Sequence, residues 1–118
     1  MLSQLNTHEL RALMAGEPNF IGVFPIDSLP QVRHKKPLKL IVNLDPSTQP
    51  GSHWVAIYRR ANGQAYYFDT FGRSPPPLIR EWLAQNSWDW KHFDRQIQGA
   101  NDSVSCGYIC MTFLKKLT

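Results

Sequence analysis

Residues 53–71 read HWVAIYRRANGQAYYFDTF, and no other stretch constrains the chain as strongly. Two runs rich in aromatic and β-branched residues flank Arg60, Ala61, Asn62 and Gly63, and an Asn-Gly step between such runs is a strong hairpin signal. The runs pair antiparallel, which returns the far end of the second beside the start of the first. Counting outward from the Asn62–Gly63 step, His53 lies nine positions back and Asp69 six forward, so an offset or bulge brings the two together. A histidine fixed by a rigid strand and met by a carboxylate is a candidate catalytic pair. The plainer alternatives are a histidine that caps a strand and an aspartate that bonds turn backbone near Thr70.

The rest of the chain supplies elements around this hairpin. Asn6 followed by Glu9 has capping-box spacing, and Leu10, Leu13 and Met14 form the apolar side of a short helix that Gly16 ends. FIGVF (Phe20 to Phe24) is a short strand. LKLIVNL (Leu38 to Leu44) is a strand rich enough in branched residues to be buried on both faces. After the stiff turn FGRSPPP, Pro77 suits a first helical position, and Leu78, Ile79, Trp82 and Leu83 give the following helix its apolar stripe. DRQIQ (Asp94 to Gln98) reads as one more short strand. CGYICMTFLKK is apolar nearly throughout, as expected of a central helix whose basic end meets the negative end of the dipole. The expected fold is α+β: a mixed, mostly antiparallel sheet packed on a buried helix that begins at Cys106. The 118 residues suit one domain, 1–118, and a hydrophobic share of 42% excludes the disordered class.

Two further features bear on function. Arg33, His34, Lys35, Lys36 and Lys39 concentrate the net charge of +4, and such a cluster is either a solvated loop or a surface for nucleic acid. The two cysteines, Cys106 and Cys110, share one helix face but aim their Cβ bonds alike, so free thiols in a reducing compartment are expected. The same two sulfurs lack the companions of a zinc site, and no metal is expected. No apolar run resembles a signal peptide or reaches the ~20 residues of a membrane span, so a soluble, intracellular, non-secreted protein is expected.

Cys106 sits unusually, after the small polar run QGANDSVS and before Gly107. At the first turn of a helix, unsatisfied N–H groups and the positive dipole end favour a thiolate, and the same N–H groups suit an oxyanion. Gly107 would let a substrate approach closely. A packed residue opening a core helix is the alternative. Of the four histidines, His8, His34 and His92 occupy plausible solvent-facing positions, which leaves His53 as the base for such a nucleophile.

GSHWVAIY, YYFDTFG and QGANDSVSCGYICMTFL, in this order, resemble the adenovirus-type cysteine protease, adenain, and more distantly the ubiquitin-like-specific proteases of the same clan. FIGVF and LKLIVNLDPSTQPGSHW are similar in order and spacing, so the resemblance covers nearly the whole chain. It implies a papain-like, adenain-like core with Cys106 as nucleophile, His53 as catalytic histidine, Asp69 as the acidic member and Gln98 as the oxyanion-hole glutamine. The chain departs from adenain in carrying Asp69 where Glu is usual, in one extra residue between Gln98 and Cys106, and in stopping soon after the nucleophile helix, as a minimal version or a fragment would.

The function so implied is a cysteine endopeptidase that processes viral precursor proteins at glycine-containing sites. Two alternatives stand beside it: an isopeptidase acting on ubiquitin or SUMO-type tails, and a non-catalytic nucleic-acid-binding module on the same fold. The resemblance also implies a monomer of the host nucleus or virion. The sequence requires no cofactor, and DNA, acting through Arg33, Lys35, Lys36 and Lys39, or an activating peptide is the stimulant the family suggests. A covalent peptide is not expected, because the spare thiol, Cys110, falls in the core.

Overall fold

A computed structural model describes residues 5–32, 35–45, 53–93 and 106–117. The elements run α1 (Thr7–Met14), β1 (Phe20–Pro25), β2 (Leu38–Asn43), β3 (Trp54–Arg59), β4 (Gln64–Phe68), α2 (Pro77–Asn86), β5 (Asp89–Phe93) and α3 (Cys106–Lys115). The strands form one sheet in the order β1-β2-β3-β4-β5. Its two central pairings are antiparallel and its two outer pairings parallel, so the sheet is mixed.

Side-chain alternation divides the core into two layers. From β3, Trp54, Ala56 and Tyr58 face α1 and α3, where they meet Leu10, Met14, Cys106, Cys110 and Leu114. Val55 and Ile57 point the other way, with Leu38, Leu40 and Val42 of β2, onto Ile79, Trp82 and Leu83 of α2. Every residue of β2 and β3 is buried, as a strand covered by helices on both faces must be. The capping box of α1 is formed: Asn6 Oδ1 accepts from the Glu9 amide at 2.8 Å, and Glu9 Oε1 accepts from the Asn6 amide at 3.1 Å.

The hairpin turns through Arg60 to Gly63, with the Gly63 amide donating to Arg60 O at 2.9 Å and the Arg60 amide to Gln64 O at 2.8 Å. Gly63 takes the left-handed conformation, φ +92°, that closes such a loop without a steric penalty. A Cβ there would also stand 3.0 Å from Trp88 Cβ, because the chain leaving α2 crosses over it into β5.

The structure adds one strand, leaves one expected strand untested and changes the reading of one lysine. The edge strand after α2 is Asp89–Phe93, paired parallel with β4, where the sequence carries no strand signal of its own. DRQIQ, and with it Gln98, lies outside the described residues. Lys39 does not belong to a solvent-facing basic cluster: it is 1% exposed, with Nζ 3.2 Å from Glu17 Oε1 and donating to Leu117 O at 2.6 Å. A lysine buried with its ammonium held by a carboxylate and a carbonyl is not presented to a phosphate. Lys35 and Lys36 are exposed, whereas Arg33 lies outside the described residues.

Candidate active site

His53 stands one residue before β3, and its carbonyl accepts the Leu44 amide at 2.9 Å, which ties the backbone to the end of β2. The β3–β4 register, with Ala56 opposite Phe68, carries on to set Asp69 opposite Val55, a diagonal neighbour of His53 on the same edge. The offset expected from the hairpin count is therefore two residues, within reach of an imidazole and a short carboxylate. His53 Nε2 and Asp69 Oδ1 are 2.8 Å apart.

Asp69 does two jobs that the sequence offered as alternatives. It opens a tight turn, with the Gly72 amide donating to Asp69 O at 2.8 Å, and its Oδ1 accepts the Phe71 amide at 2.9 Å. The turn holds the carboxylate still, and the same oxygen meets the imidazole. Two neighbours absent from the sequence reading complete the grip. The Phe71 ring packs on His53 with centroids 5.1 Å apart, and Arg73 Nε lies 3.4 Å from Asp69 Oδ2 while its guanidinium carbon sits 4.9 Å from the Phe71 ring centre. The i,i+4 spacing of Asp69 and Arg73 was the available signal.

Cys106 is the first residue of α3 and 1% exposed, and its sulfur stands near enough to the His53 imidazole to favour charge on the ring. With Nε2 committed to Asp69, Nδ1 is the nitrogen left for sulfur. Burial opposes charge on the imidazole, but the hydrogen bond to Asp69, the nearby Cys106 sulfur and the carboxylate charge prevail, and its pKa is pushed up from 6.5 to about 9. Burial likewise opposes the Asp69 carboxylate, and the His53 bond, the Phe71 amide and the positive charges of His53 and Arg73 together hold its pKa below the ordinary value. At neutral pH the pair is an imidazolium held by a carboxylate. Such a cation facing a thiol is the partner that a nucleophilic thiolate requires, and it is a proton donor for a leaving amine.

Gly107 has a different purpose from the one its position suggested. It is buried, and a Cβ on it would lie 3.3 Å from Trp54 Cδ1 and 3.5 Å from Leu10 Cδ2 and Leu5 Cβ. The glycine lets the helix bearing Cys106 close onto the strand that follows His53. Trp54 is fixed from both ends, its Nε1 donating to Leu5 O at 3.2 Å and its carbonyl accepting from Cys110 Sγ at 3.4 Å. Cys110 is thus a core thiol, and burial pushes its pKa well above the ordinary value. Among the described residues, no three His, Cys, Asp or Glu side chains cluster as metal ligands.

Known proteins share both sequence and architecture with the chain. Over 46 residues, 36% of its length, it is 41% identical to the cysteine protease S273R of African swine fever virus, an alignment that spans 17% of that protein. The crystal structure of the African swine fever virus pS273R protease matches with a TM-score of 0.64 at 18% identity, covering 98% of this chain and 60% of that one. This chain has the pS273R protease fold. The central domain of Lpg1148 from Legionella pneumophila matches with a TM-score of 0.63 at 14% identity, over 98% of this chain and 76% of that one. No protein-family model matches. The chain spans less than two thirds of the pS273R protein, and the narrower likeness to adenain stays a resemblance of motifs.

Proposed function

We propose that the chain is a cysteine protease in which Cys106, His53 and Asp69 form the catalytic triad. The observation that carries the reading is the placement of one imidazole between a carboxylate and a thiol contributed by three separate elements. In this mechanism the Cys106 sulfur attacks the substrate carbonyl carbon, and the carbonyl electron pair moves onto oxygen. The amide of Cys106 at the start of α3 and the side chain of Gln98 receive that oxyanion; the glutamine enters on its motif alone. The tetrahedral intermediate collapses, the C–N bond breaks, and His53 gives its proton to the departing amine. Water then attacks the thioester with His53 as base, which releases the acid and restores the thiol. Asp69 holds Nε2 protonated throughout and keeps Nδ1 aimed at sulfur.

The substrates on this reading are proteins cleaved beside glycine, as viral precursor proteins would be. A specific observation favours a second reading, a SUMO-type isopeptidase: a relative 39% identical over 46 residues bears the name SUMO-1 cysteine protease. Precursor peptides with internal Gly-Gly bonds and fluorogenic SUMO and ubiquitin amides, assayed side by side with Cys106→Ser as control, separate the two. Cleavage of either set that Cys106→Ser abolishes supports the protease, and no cleavage of any member contradicts it. Stimulation by DNA, with Lys39 withdrawn, rests on Arg33, Lys35 and Lys36, and adding duplex DNA to the same assay tests it.

A further inference from the structure

The Asp69 turn leaves one charged group unused by the proposed chemistry. Arg73 spends its Nε on Asp69 Oδ2, at 3.4 Å, and rests its guanidinium on Phe71. Its side chain is nonetheless 62% exposed, so the two Nη groups remain turned toward solvent. Phe71 carries Arg73 on its ring, 4.9 Å from its centre, and packs against His53 as well, with ring centres 5.1 Å apart, so a single ring separates the guanidinium from the imidazole. A guanidinium braced on a ring and held by a carboxylate has lost much of its rotamer freedom before any ligand arrives. The negative charge of Asp69 is shared with the imidazolium, which leaves Arg73 a net cation on the exposed side of the Asp69 turn.

The chemistry of the triad says which part of a substrate passes there. His53 must reach the nitrogen of the scissile bond to protonate it, so the leaving-amine segment begins beside His53, on whose ring Phe71 packs. At ~3.3 Å per extended residue, the distance from imidazole to guanidinium is spanned within about three residues. We propose that Arg73 forms a carboxylate-binding subsite that selects substrates bearing Asp or Glu within the first three residues on the leaving-amine side. The fork of two exposed N–H groups matches a carboxylate, and partial exposure makes the pairing useful for selection and sensitive to salt.

This inference rests on the protease reading, and its test keeps the two apart. A library of internally quenched peptides, fixed as Gly-Gly before the cut and randomised over the next three positions, is cleaved by the wild-type chain, Arg73→Ala, Arg73→Lys and Arg73→Glu. The readout is the ratio of kcat/KM for acidic over neutral residues, which a general loss of activity does not move. Expected is a ratio of about ten in the wild type at low salt, partly kept by Arg73→Lys, near one in Arg73→Ala and inverted toward basic residues by Arg73→Glu. Cleavage with no acidic preference, or a preference unchanged in Arg73→Glu, overturns the subsite and leaves the protease reading intact. Absence of cleavage, together with absence of His53-dependent alkylation at Cys106, overturns both.

Discussion

Replacing Asp69 by Asn removes one negative charge while keeping the shape of the turn, since an amide oxygen can still accept the Phe71 amide. The wild-type imidazole titrates at about 9 in a site whose burial alone would lower its pKa below 6.5. The difference between 6.5 and about 9 corresponds to ~3 kcal/mol at full weight. Cys106 supplies part of that, and the ring is 14% exposed, so the share of Asp69 is on the order of 2 kcal/mol. The sign follows from linkage: a histidine whose folded pKa is raised adds stability fully present below pH 6.5, and this is lost as pH rises through about 9. In a Cys106→Ser background, which leaves Asp69 as the charge partner of the ring, an Asp69-bearing chain should lose ~2 kcal/mol of urea stability from pH 6.5 to 9. Asp69→Asn in that background should show a nearly flat profile over this window, and the His53 ring protons in NMR should titrate at or below 6.5. Activity in the Cys106-bearing Asp69→Asn chain should fall by on the order of 10⁴, because Asn steers the imidazole into the wrong tautomer. A His53 midpoint that stays near 9 after Asp69→Asn would refute the assignment of Asp69 as its charge partner.

Two further predictions concern packing. Gly107→Ala forces Trp54 or the start of α3 to yield to a Cβ 3.3 Å from Trp54 Cδ1, at a cost of about 1–3 kcal/mol in chemical denaturation, and His53-dependent alkylation of Cys106 should slow with it. Lys39→Ala strands Glu17 and the Leu117 carbonyl, so it should destabilise by about 3–5 kcal/mol in the same experiment, whereas Lys35→Glu should lie within ~0.5 kcal/mol of the wild type.

What the sequence made legible depended on short-range rules. The Asn62–Gly63 step limits the hairpin to a few registers, and within those registers His53 and Asp69 meet, so the pair could be placed by counting. Asn6 and Glu9 announced the start of α1 for the same reason. Other features depend on partners far along the chain. Lys39 looked like one cation among five because Glu17 lies 22 residues and Leu117 78 residues away from it. β5 escaped notice because DWKHF alternates only between exposed and half-buried positions, the pattern of an edge strand without a buried face. Gly107 was misread because helix-to-strand closure and substrate access ask for the same small residue, and only the position of Trp54 separates them. Phe71 and Arg73 stood in view as FGR, but their purpose depends on the turn that folds them over His53.

Whether Cys106 and His53 act as a unit decides whether the chain is a cysteine protease. Iodoacetamide labelling at pH 6, resolved between the two cysteines by mass spectrometry, measures this in the wild type and in His53→Ala. The account predicts rapid labelling at Cys106 alone, lost in His53→Ala, with Cys110 labelled only on unfolding because it lies wholly buried under Trp54. Equal and slow labelling of both thiols in the folded protein, or labelling of Cys106 that is indifferent to His53→Ala, would contradict it.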